Sequence, residues 1–106
     1  MKKEYAIVLV TTANREEAEK ISKALLNERL IVCANIIGPI SSLFWWREKI
    51  ESAEEYVLLM KTRFDMFEKL VEKVKVIHTY EVPEIIAIPI IQGFKPYLEW
   101  LNNSLR

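Results

Sequence analysis

Glycine is scarce in this chain, with two in 106 residues beside four prolines. Few positions are therefore suited to backbone conformations that side chains disfavour, which argues for tight connections and excludes glycine-rich phosphate loops and long flexible linkers. A single cysteine, Cys33, excludes an internal disulfide and makes a reducing compartment, the cytoplasm, the expected location. A single histidine, His78, excludes a metal centre built from histidines of one chain. Neither sign of charge is in excess: fifteen basic residues balance fifteen acidic ones, so no global field collects nucleic acid or an anionic membrane. No apolar run approaches the ~20 residues of a membrane span. The run Tyr5–Val10 after Lys2 and Lys3 is too short for a signal peptide and is followed at once by Thr11, Thr12 and Asn14. There are no repeats, no low-complexity segments and no metal-spaced cluster of cysteine and histidine.

What is present is a folding composition, 51% hydrophobic and 28% charged, over a length that suits one domain spanning residues 1–106. Tyr5–Val10 is rich in β-branched residues and reads as a central strand. Asn14 with Glu17 forms a capping-box pattern, and Ala18, Ile21, Ala24 and Leu25 then recur at helical spacing to about Asn27. Leu30–Ile37 resumes as strand. Gly38-Pro39 interrupts it, which predicts a bulge or kink, since strand-like residues continue to Trp46. Arg47-Glu48-Lys49 makes a turn and Ile50–Thr62 returns, with Tyr56, Leu58 and Met60 on one face and Val57, Leu59 and Lys61 on the other. Asp65 with Glu68 repeats the capping pattern before a helical stripe of Phe67, Leu70, Val71, Val74 and Ile77. Ile85–Ile91 is a fourth strand whose Pro89 predicts an edge position or a strand end. A short helix after Gly93 carries Phe94, Tyr97, Leu98 and Leu101.

This order predicts an α+β fold, a ferredoxin-like βαββαβ sandwich with a long hairpin between its second and third strands and an extra C-terminal helix. Both principal helices then cover one sheet face and leave the other open. Twelve residues from Ile50 to Lys61 would extend roughly 40 Å at ~3.3 Å per residue, more than the ~35 Å breadth of a domain this size. Adjacent Trp45 and Trp46 point to opposite faces of that ribbon and cannot share one apolar layer. Self-association through the hairpin follows, with Phe44, Trp45, Trp46, Lys49 and Tyr56 as expected interface residues.

Five stretches in order, Cys33-Ala-Asn-Ile36, Phe44-Trp-Trp with Lys49-Ile50, Lys61-Thr62, His78-Thr-Tyr-Glu-Val-Pro-Glu-Ile85 and Tyr97-Leu-Glu-Trp-Leu101, resemble the CutA family of divalent-cation tolerance proteins. The resemblance covers essentially the whole chain. It implies a fold related in architecture to PII signalling proteins, a homotrimer built from extended hairpins, a cytoplasmic location, and a tolerance role with copper binding in some members. It does not imply a known catalytic reaction; no organic cofactor is expected, and the charge balance and short apolar runs leave neither nucleic acid nor membrane as an expected partner. Three positions depart from the family pattern. Glu48 stands where the turn usually has glycine, which suggests a different turn type here. Thr79 replaces the proline of His-Pro-Tyr. Thr11 and Ile77 stand where some copper-binding members carry a cysteine and a second histidine.

His78 and Cys33 are the candidate metal ligands, a nitrogen and a soft sulfur donor that suit copper or another divalent transition metal. Each has a plainer alternative, a helix-end residue for His78 and an inert strand thiol for Cys33. Lys61, Tyr80, Glu81 and Glu84 are the candidate lining of an inter-subunit cleft, which would take a small ligand or partner in a PII-like signalling module. No nucleophile–base spacing is visible, so catalysis has the least support.

Overall fold

The computed structural model describes residues 4–106. Its elements are β1 (Tyr5–Thr12), α1 (Arg15–Asn27), β2 (Cys33–Trp46), β3 (Lys49–Arg63), α2 (Phe67–Ile77), β4 (Ile85–Pro89) and α3 (Lys95–Ser104). The sheet order is β2-β3-β1-β4 with every neighbouring pair antiparallel, the α+β ferredoxin-like arrangement expected from the sequence.

Strand alternation decides what is buried. Ala6, Val8, Val10 and Thr12 of β1 and Leu58, Met60 and Thr62 of β3 are fully covered, while their neighbours are only partly so. Ile21 and Leu25 of α1 with Leu70 and Val74 of α2 complete this layer, so both helices lie on one face. Each such side chain contributes about 1.5–3 kcal/mol on burial. The opposite face keeps Ile37, Ile86 and Ile88 exposed beside half-buried Ile7, Leu9 and Leu59. Leu101 of α3 and Leu105 just after it join the core, while the Arg106 amide bonds the Arg29 carbonyl at 3.1 Å.

Several expectations change in detail. Asn14 does cap α1, its Oδ1 accepting from the Glu17 amide at 2.8 Å. The second capping pattern does not form: Phe64–Met66 is a single 3₁₀ turn, Met66 precedes α2, and Asp65 accepts from Arg63 Nε at 3.0 Å instead. The ladder of β2 begins at Cys33 and not at Leu30. Arg29 takes φ 56°, and the amides of Arg29 and Leu30 bond back to the carbonyls of Leu26 and Leu25. That is a Schellman end to α1, with arginine where glycine is usual. Leu30 and Ile31 are then buried as loop residues. β4 stops at Pro89, an edge strand as well as a strand end.

The expected bulge is present as a register shift between Ile37 and Ile40. Beyond it the hairpin outruns β1, whose last partner on β3 is Tyr56 opposite Thr12. The overhang from Lys49 to Glu55 is about 23 Å at ~3.3 Å per residue. It accounts for a longest dimension of 44 Å against 28 and 23 Å across. Trp46 pairs directly with Lys49, leaving Arg47 and Glu48 as a two-residue turn with φ of 49° and 64°. Both values are those of the primed hairpin turn that matches strand twist, so Glu48 itself occupies a glycine-favouring conformation.

Candidate functional site

Three short loops and strand ends converge where α1 begins and α2 ends. His78 directly follows α2, its ring fully buried. Its Nε2 lies 2.7 Å from the Thr11 carbonyl oxygen and its Nδ1 lies 3.1 Å from the Tyr80 amide nitrogen. A carbonyl only accepts and an amide N–H only donates, so this pattern assigns the neutral ring with its proton on Nε2. Both nitrogens are then engaged, and neither has a lone pair free for a metal ion.

Glu17 sits beside this ring, its carboxylate 3.7 Å from Nδ1. The capping pattern had marked it, but for a different partner. Its carboxylate accepts from the Ala13 amide at 3.3 Å and from the Thr79 amide at 2.7 Å, sixty-two residues away. Burial pushes this carboxyl up, but the hydrogen bonds from Thr79 and Ala13 outweigh it, and the net shift is downward. Tyr80 completes the cluster: its hydroxyl donates to Glu55 Oε2 at 2.7 Å, and its ring lies 4.8 Å from that of His78. Burial, with the Glu55 carboxylate next, holds the Tyr80 hydroxyl well above the usual phenol range.

Cys33 lies elsewhere. It pairs with Lys61, which pairs with Ile7, four residues along β1 from Thr11, or about 13 Å at ~3.3 Å per residue. Its half-buried thiol is 3.8 Å from the Tyr97 hydroxyl of α3. Burial, and then this contact, raises Tyr97 above its ordinary value. Lys61 Nζ donates to Asn35 Oδ1 at 2.5 Å on the open face. The structure therefore keeps the two metal candidates apart, and among the described residues no group of three or more histidine, cysteine, aspartate or glutamate side chains converges to hold an ion.

The cleft candidates also separate within one chain. Tyr80 bonds Glu55, six residues along β3 from Lys61, whereas Glu81 reaches the turn, 3.4 Å from Arg47 Nη2. Glu84 is exposed just before β4. Of the expected interface residues, Trp45 is 71% exposed and stands opposite Ile50, 65% exposed, with Leu43 on the same face. Trp46 is shielded from the other side by the Arg47 guanidinium, 5.4 Å from its ring. Phe44 and Lys49 are also exposed. Tyr56 is half-buried under Gly38, where an added Cβ would meet its ring at 2.5 Å.

A family model for the CutA1 divalent ion tolerance protein matches residues 6–104. The chain belongs to the CutA1 family. A solved CutA1 divalent-cation tolerance protein from Thermus thermophilus superposes with a TM-score of 0.94 at 41% identity, covering 96% of this chain and 99% of that one. The divalent-cation tolerance protein CutA of Archaeoglobus fulgidus is 43% identical over 95% of this chain and 98% of its own length. Its solved structure is described as that of a periplasmic protein. The chloroplastic CutA 1 of rice is 42% identical, and this chain spans 56% of its length. No helix among the described residues is long and apolar enough to cross a membrane. Within this CutA1 chain the Glu17–Thr79 and Arg47–Glu81 contacts had no signal in residue spacing, because each joins segments far apart in sequence. Tyr80 and Glu81 were visible only as members of a motif.

Proposed function

We propose that this CutA1 chain works as a homotrimer in divalent-cation tolerance, binding a transition metal in the cytoplasm and catalysing no reaction. The observation that carries the assembly is the hairpin, which overhangs its own sheet by about 23 Å and displays Leu43, Trp45 and Ile50 together. A two-stranded ribbon of that kind is marginal in water unless covered. A soft thiol donor suits Cu(I). The donors of a single copy do not fit an ion: the His78 ring nitrogens are engaged and Cys33 stands apart. A metal site therefore needs Cys33 with donors from a neighbouring copy, or a His78 ring released from the Tyr80 amide. The lone cysteine supports a reducing compartment.

Native mass spectrometry of protein purified without chelators tests both halves, since it reports stoichiometry and bound metal together. A trimer is expected; a monomer at micromolar concentration refutes the assembly. Competition of Cu(I) and Cu(II) against a chelator is expected to show binding that Cys33→Ala weakens. Binding no tighter than millimolar refutes the metal role.

One observation favours a second reading, a PII-like module that binds a small ligand between copies. Lys61 is half-buried on the open apolar face and donates to the neutral Asn35, so a cation is available where a neighbour would close over it. This reading predicts thermal stabilisation by an anion or nucleotide without metal, lost in Lys61→Met.

A further inference from the structure

The three residues from Thr79 to Glu81 make four contacts, each to a different part of the molecule. The Thr79 amide bonds Glu17 at the start of α1, and the Tyr80 amide bonds His78, which is itself fixed to the Thr11 carbonyl of β1. The Tyr80 hydroxyl bonds Glu55, a buried carboxylate one residue beyond the last β1 pairing of β3. Glu81 meets Arg47 in the hairpin turn. Two consecutive residues thus touch the root of the overhang at Glu55 and its turn at Arg47, eight residues apart on the chain.

We infer that residues 79–81 form a strap that holds the overhanging hairpin at a fixed angle to the sheet, with the Tyr80–Glu55 bond as its fastening and His78 as a positioning residue. The two fastenings are unequal. Glu55 is buried and its carboxylate accepts from the Tyr80 hydroxyl, so losing that bond leaves a desolvated carboxylate poorly satisfied. The Arg47–Glu81 pair is about three-quarters exposed on both sides and is screened by water. Holding the angle matters because Leu43, Trp45 and Ile50 meet a second copy only if the ribbon that carries them is aimed reproducibly. In this respect the strap rests on the proposed trimer. It also excludes a metal ion from His78 while closed, because the Tyr80 amide takes the ring lone pair an ion would need.

Hydrogen exchange on the full-length chain, read with its association equilibrium by sedimentation, tests this. In Tyr80→Phe, amides of residues 40–55 are expected to exchange roughly tenfold faster, the effect of removing a charge-assisted bond, while those of β1 and β4 stay unchanged. Association is expected to weaken, and Glu81→Gln, which removes only the exposed pair with Arg47, to accelerate exchange far less than Tyr80→Phe. Unaltered exchange in residues 40–55, or equal acceleration across the whole sheet, overturns the strap. A wild-type chain that stays monomeric refutes the trimer instead, and the exchange contrast within that monomer still decides the strap.

Discussion

Among the described residues, three other than glycine hold positive φ: Arg29 at the end of α1, and Arg47 and Glu48 in the turn. The left-handed conformation costs a residue with a Cβ roughly 1–2 kcal/mol. In a chain with only two glycines, that strain is carried by charged residues whose side chains reach water. Glu48→Gly is therefore expected to stabilise the chain by about 0.5–1 kcal/mol, after the greater unfolded-state freedom of glycine is set against the relief. Chemical denaturation reads this as a higher midpoint at unchanged slope. Gly38 is the converse case, since an added Cβ would lie 2.5–3.0 Å from the Tyr56 ring. Gly38→Ala is expected to lose about 1–3 kcal/mol from overpacking, and an unchanged midpoint would show that Tyr56 moves aside freely.

Helix α1 and the segment after α2 are joined through Glu17, which gives their junction a pH dependence. The folded carboxyl lies below its ordinary value near 4.5, so its contribution is fully present above that value. As pH falls below about 4.5 and through the lower folded value, the contribution is lost. Glu17→Gln is expected to flatten the acid limb of the stability curve in this window, measured by denaturation at a series of pH values; an identical limb would remove Glu17 from the acid response. At this scale most of the fold was legible. β-Branched apolar runs, the alternation along β3 and helical spacings placed all four strands and three helices, and Gly38-Pro39 marked the bulge. The false second cap had the right residue types, but Arg63 competed for Asp65, and a partner two residues away does not register in a capping pattern. The site was less legible. His78 was marked by its rarity, whereas its closure by Thr11 and Tyr80 depends on contacts between distant segments that spacing does not encode.

For the whole molecule, a single copy leaves two apolar surfaces uncovered, the open sheet face and the cluster at the hairpin tip. Trp45→Asp with Ile50→Lys places opposite charges on an exposed, directly opposed pair, which costs the isolated chain little and an interface much. Sedimentation is expected to show loss of assembly with the far-ultraviolet circular dichroism of a folded chain retained. Full assembly of this variant would place the contact between copies elsewhere. The sheet order has a separate consequence during synthesis. β1 is made first yet lies at the centre, and its partners on β4 follow 75 to 83 residues later, Val10 with Ile85 and Ala6 with Pro89. On a ribosome adding about 5–20 residues per second, its apolar strand waits roughly 4–17 s for that edge. Translation speed through the α2 and β4 codons thus sets how long a nascent chain displays a β1 strand lacking one neighbour.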